Sequence, residues 1–175
     1  LEVNSETLET HIAVGNLMRR KGEVDRAIRI HQNLLSRPSL PRLHLHHAHL
    51  ELARDYISAG LLDRAERLLK DLIEESVELR DISMRHLMEI YQDEKEWIKA
   101  IHVARQLLPR RSLLKSAVTA DRAVVRALSH YCCELAKRAI RKNDYQSARA
   151  YLKKALSYDS SSVRASMLVA DIEFQ

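Results

Sequence analysis

Apolar and small residues recur along the chain at helical spacing, in runs separated by short polar breaks. The stretch VGNLMRRKGEVDRAIRIH at 14–31 shows the unit: a helix, a tight turn and a second helix. A glycine inside a helix costs roughly 1 kcal/mol against alanine, so Gly15 predicts close approach of a neighbouring helix. Gly22 follows the basic run Arg19-Arg20-Lys21, which suits a helix C-terminus and its left-handed cap. Ala27 is small where the second helix must pack closely. The pattern returns as LARDYISAGLLDRA (52–65), LMEIYQDEKEWIKA (87–100) and LAKRAIRKNDYQSA (135–148).

With Gly15 at position 8 of a repeat of about 34 residues, this is the tetratricopeptide-repeat (TPR) signature. Position 15 is then Gly22, Gly60, Lys95 and Asn143, and position 20 is Ala27, Ala65, Ala100 and Ala148. Position 17 carries Val24, Leu62, Trp97 and Tyr145. Position 4 departs from the usual Trp, being His11, His49, Met84 and Cys132, and position 24 is His31, Leu69, Ala104 and Leu152. The fold class predicted is all-α: a TPR-type α-solenoid, a right-handed superhelix of antiparallel helix pairs whose first helices line the inner face.

The chain reads as one solenoid fragment over 1–175, with repeats at about 8–41, 46–79, 81–114 and 129–162, a truncated fifth repeat at 163–175, and an insertion at about 110–128. Helices are expected at 7–20 and 23–36, with the next beginning near Leu40. The long first helix of repeat 4 is expected at about 120–142, capped by Thr119 or Asp121. Asn4 or Ser5 is expected to cap the first helix. The chain starts at Leu1 and stops within a repeat, so it is read as an excised, soluble piece of a longer protein. Its last helix is expected to expose Met167, Val169 and Ile172, a route to self-association.

Composition narrows the function. Only 3 Gly, 3 Pro and 1 Phe in 175 residues leave no material for a sheet. A net charge of +5 is modest, and the 5% aromatics are taken up by repeat packing, so nucleic-acid binding is not supported. The chain has no phosphate loop, GxSxG or HExxH, so it is read as a non-enzyme with no catalytic residue. His44, His46, His47 and His49 fall as i,i+3 pairs on a helix, a spacing that suits Zn or Ni. No Cys completes a site beside them, and His49 falls on a core position, so they are read as packing. Cys132 and Cys133 are adjacent rather than spaced as zinc ligands are. They are read as core at Cys132 and as inner-face at Cys133, in a chain suited to a reducing compartment. No metal or cofactor is assigned to the fragment.

GNLMRRKGEVDRAIRIHQNLL, ARDYISAGLLDRAE, EWIKAIHVARQL and HYCCELA, in that order, resemble the lipopolysaccharide assembly protein B family of Gram-negative bacteria, in the middle of its TPR region. PRRSLLKSAVTADRAV carries no part of the resemblance. The resemblance implies a non-enzymatic adaptor at the cytoplasmic face of the inner membrane, promoting proteolysis of the LpxC deacetylase by FtsH and so regulating lipopolysaccharide synthesis. It also implies a membrane helix and a rubredoxin-like, cysteine-ligated metal domain outside this stretch. The alternative is a generic TPR peptide-binding or assembly scaffold unrelated to lipopolysaccharide.

The repeat family implies which first-helix positions face inward. They are Asn16, Arg19 and Arg20 in repeat 1, His47 and Arg54 in repeat 2, Arg85, Glu89 and Gln92 in repeat 3, and Lys137 and Arg141 in repeat 4. Bases outnumber the one acid, so a positive groove is expected to take an acidic or C-terminal carboxylate-bearing protein segment.

Overall fold

A computed structural model describes residues 5–109 and 121–174. Asn4, Thr119 and residues 110–120 of the expected insertion lie outside the described residues. Among those described there are nine α-helices and no strand: α1 (Ser5–Arg20), α2 (Val24–Leu35), α3 (Arg42–Ser58), α4 (Leu62–Glu75), α5 (Arg80–Asp93), α6 (Trp97–Leu107), α7 (Arg122–Arg141), α8 (Tyr145–Tyr158) and α9 (Val163–Glu173). They group into two compact units, residues 1–90 and 91–175, divided within α5.

The turns inside the helix pairs share one geometry. Gly22, Gly60, Lys95 and Asn143 all take positive φ, at 83°, 74°, 58° and 58°. In each, the next amide donates back to a carbonyl five residues earlier: Glu23 to Met18, Leu61 to Tyr56, Glu96 to Tyr91 and Asp144 to Ala139, all at 2.8–2.9 Å. This left-handed cap satisfies carbonyls that a helix end leaves open and turns the chain back on itself. The position-20 alanines that follow are all wholly buried, so the second helix sits close against its neighbours.

In the first unit, α1 packs on α2 and α3, with Leu8, Leu34 and Ala48 forming a buried cluster under Ile12, Leu35 and Leu40. The reason for Gly15 is specific: a Cβ there would lie 2.4 Å from Nε2 and 2.6 Å from Cε1 of His31 on α2. Val14 breaks the repeat rule. It is 41% exposed where Leu52, Leu87 and Leu135 at the same position are buried, and no described helix covers it. The helix expected from Leu40 begins at Arg42, because Pro41 stands at its N-cap with extended backbone (φ −57°, ψ 141°).

In the second unit, α7 and α8 share a core of Cys132, Cys133, Ala136, Ala148 and Leu152, extended by Ala165 and Ile172 of α9. Asp121 caps α7 by accepting from the amides of Ala123 and Val124, and Ser162 caps α9 by accepting from Ala165. The expectation for α9 is corrected in part. Val169 and Ile172 pack into the core, and the apolar groups left exposed are Val163, Met167 and Phe174.

Candidate functional site

The expected inner-face residues lie on α1, α3, α5 and α7, and each unit arranges its share differently. In the first unit, Asn16 and His47 come together in a cleft between α1 and α3, with Glu9, Ile12, Leu43, His44 and Glu51 also lining it. Asn16 Oδ1 and His44 Nδ1 are buried there without a hydrogen-bond partner. Buried polar atoms are rarely left unmatched, so the cleft holds unused hydrogen-bonding capacity.

Arg19 does not contribute positive charge to this face. Its guanidinium meets Asp55 Oδ1 at 2.7 Å and Glu51 Oε2 at 2.6 Å, with the side chain only 14% exposed. Asp55 is wholly buried and also meets Nδ1 of His31 at 2.5 Å, while Nε2 of His31 lies 3.3 Å from the Ile12 carbonyl. Both ring nitrogens thus face oxygen atoms, which fixes the plane of the ring. Glu51 Oε1 in turn accepts from Arg54 at 2.9 Å, and Arg54 Nε reaches His86, whose other ring nitrogen lies 3.3 Å from Glu89. Burial alone would raise the Glu51 carboxyl; the hydrogen bond from Arg19 and the charges of Arg54 and Arg19 outweigh it and hold it below the usual range. Arg20 is exposed in the last turn of α1 and Arg85 is exposed on α5.

This network corrects the charge expected from sequence. Glu51 and Asp55 both pair with Arg19, and Glu51 also pairs with Arg54. One signal for them was present: His31 stands where the other repeats place Leu69, Ala104 and Leu152, and a histidine in a core position requires polar partners.

In the second unit, Gln92 Oε1 accepts from the Tyr131 hydroxyl at 3.2 Å. Lys137 pairs with Glu134 at 2.9 Å, and Arg141 Nε reaches the Lys137 carbonyl at 3.4 Å. Cys133 is corrected from an inner-face to a core residue, since it and Cys132 are both wholly buried and unpaired with each other or any other cysteine. Burial pushes the Cys132 thiol up to about 11 and raises that of Cys133 too, so both rest as thiols packed in the core.

The histidine cluster of α3 is spread around the helix. His46 is buried with Nε2 3.7 Å from Glu75, and burial pushes His49 below its ordinary value. Among the described residues no group of three or more His, Cys, Asp or Glu is placed to hold a metal ion, and no helix is long and apolar enough to cross a membrane.

The paired helices and their left-handed turns define a tetratricopeptide-repeat fold, and the tetratricopeptide repeat family profile matches residues 133–175. Two solved chains carrying nearly identical TPR-like repeats of a Podosopora anserina kinesin light chain superpose with a TM-score of 0.57 at 16% and 18% identity. The first covers 96% of this chain and 93% of its own; the second covers 98% and 96%. These likenesses show the fold alone. In sequence, the chain is 38% identical over 98% of its length to lipopolysaccharide assembly protein B of Escherichia coli K12, and 34% identical over 98% to that of Haemophilus influenzae. The chain is thus similar in sequence to lipopolysaccharide assembly protein B along nearly all of its own length, and it spans 42% and 41% of those two relatives.

Proposed function

We propose that this chain is the protein-binding scaffold of a regulator of lipopolysaccharide synthesis. In this reading the full-length protein works at the cytoplasmic face of the inner membrane and presents the LpxC deacetylase to FtsH for proteolysis. The supporting observation is the 38% identity to the Escherichia coli relative across 98% of this chain, on helix pairs that hold the repeat register. A TPR array suits the role because its first helices offer long side chains on a stiff frame, so little ordering is required when a segment docks.

In the first unit the docking face is the cleft holding Asn16 and His47, with Arg54 paired to its Glu51, and the exposed Arg85 of α5 is included in the same face. In the second it is the α7 face carrying Lys137 and Arg141. An acidic or carboxylate-ended segment of the partner is the expected occupant.

The test uses the full-length protein with Arg54→Gln and Arg85→Glu. Gln is chosen at 54 because a carboxylate there would stand against Glu51, 2.9 Å from the present guanidinium. The expected outcome is an unchanged circular dichroism spectrum, weaker capture of LpxC and a longer LpxC lifetime in cells. Capture unaltered by the substitutions and by salt would move the partner off this face. Binding of other peptides without LpxC or FtsH would replace the reading by a generic TPR scaffold.

A further inference from the structure

We propose that a basic notch in the second unit, where the turn between α5 and α6 meets the C-terminal end of α7, is an anion seat for a glutamate- or aspartate-rich segment of a partner protein. The notch, about 370 Å³, is lined by Lys95, Trp97, Glu134, Arg138, Arg141 and Lys142. Four cations therefore face one carboxylate, and that carboxylate is already engaged: Glu134 Oε1 accepts from Lys137 at 2.9 Å and Arg164 at 3.2 Å. Among the described residues, no carboxylate lies within ion-pair reach of the four cations. Asp93, Glu94 and Glu96 are exposed on the adjoining turn and do not line the notch.

The two arginines are positioned without being neutralised. Arg138 Nη2 donates to the Lys95 carbonyl at 3.2 Å, and Arg141 Nε to the Lys137 carbonyl at 3.4 Å. Each guanidinium thus spends one donor on a neutral acceptor. That fixes part of its orientation and leaves most of its planar fork of five donors for an anion, a geometry that matches carboxylates. Trp97 gives the notch a stiff side. It is buried and stacks on Tyr131 with ring centroids 5.8 Å apart at 27°.

The shape favours a protein segment. A concave notch of this size admits one or two acidic side chains. Single-stranded nucleic acid needs exposed aromatic faces on which bases stack, and here the aromatic is buried. A bilayer-binding surface sets exposed apolar groups among its cations, and among the notch's lining residues the apolar one is the buried Trp97. The inference rests on the scaffold reading and deepens it, naming the chemistry of one seat and adding Lys95, Arg138 and Lys142.

The test titrates the whole chain with a labelled, C-terminally amidated oligo-glutamate peptide, with oligo-glutamine as control, at low and high salt. In the Arg138→Gln/Arg141→Gln double variant, affinity should fall roughly tenfold or more. In Arg149→Gln, at an exposed position of α8 that does not line the notch, it should not change. If the double variant does not fold, the single variants Arg138→Gln and Lys142→Gln carry the same comparison. Equal affinity in variant and wild type overturns the seat. So does failure of the peptide to bind while anionic vesicles or inorganic phosphate bind and lose affinity in the variants. The titration contains neither LpxC nor FtsH, so its outcome turns on the notch, and a failure to capture those proteins is read separately.

Discussion

Gly15 and Asp55 each hold a position that no other side chain fills without cost. A Cβ at residue 15 would press on a His31 ring that is itself fixed by Asp55, so the ring has no easy way to yield. Gly15→Ala should therefore destabilise by about 1–3 kcal/mol, as overpacking does. Adding His31→Ala should remove much of that penalty, and additive losses in urea melts would show that the contact is not the cause. Asp55→Ala strands Arg19 and His31 in a buried setting and should cost about 3–5 kcal/mol. Arg54→Gln removes a pair that is 36% exposed on the arginine side, and should cost less than about 1 kcal/mol. Equal losses from the two would mean that burial does not set the energy of this network. Acid should act in two steps. Burial lowers His49 and His130 from an ordinary 6.5, while Glu51 and Glu134, their burial outweighed by basic partners, lie below an ordinary 4.5. A depressed folded value means the unfolded chain takes up the proton first. Stability is then complete above the ordinary value and is lost as pH falls below it. Urea midpoints should drift down below about 6.5 from the histidines and fall again below about 4.5 from the carboxylates. A flat profile from neutrality down to the carboxylate range would contradict the histidine burial.

At the scale of the helix pair, four turns of one conformation are built from two glycines, a lysine and an asparagine. A left-handed residue other than glycine costs roughly 1–2 kcal/mol, less for asparagine, whose side chain bonds locally. Part of any gain from inserting glycine is returned as entropy of the unfolded chain. Lys95→Gly should thus raise stability by up to about 1 kcal/mol, and Asn143→Gly by less. A Cβ at Gly60 would meet nothing within 4 Å, so Gly60→Ala tests the backbone alone and should cost about 1 kcal/mol. Thermal midpoints ranked in any other order would mean that the turns are held by something besides this cap. The turns were legible in sequence because glycine and its position in the period point to the same place. Lys95 and Asn143 were located by the period alone, and their left-handed backbone had no signal of its own. The ion network was illegible for a different reason. His31 and Asp55 are 24 residues apart in sequence, and no local spacing states which acid a buried histidine meets. The basic notch lay half within reach: Arg141 followed from the repeat position, whereas Lys95 and Arg138 meet only through a backbone carbonyl that a sequence does not place.

For the whole molecule, each unit carries a core of its own, Leu8, Leu34 and Ala48 in the first and the cysteine-alanine cluster of α7–α9 in the second. Repeat arrays draw their stability from neighbouring elements rather than from one centre, and local opening then reports local packing. This gives a prediction that a globular domain with one core would not share. Gly15→Ala should lower amide protection in α1, α2 and α3, where its clash lies. Ala148→Leu should lower protection in α7, α8 and α9 instead, because Ala148 is wholly buried in a core with Cys132, Ala136 and Leu152, and a longer side chain there has no space to enter. Native-state hydrogen exchange followed by mass spectrometry reads both variants on the same peptides. Losses confined to the helices around each substitution are expected. A uniform loss along the chain from either variant would mean that the helices open as one cooperative body, and the stability changes argued for Gly15 and Lys95 would then have to be counted against the same global transition.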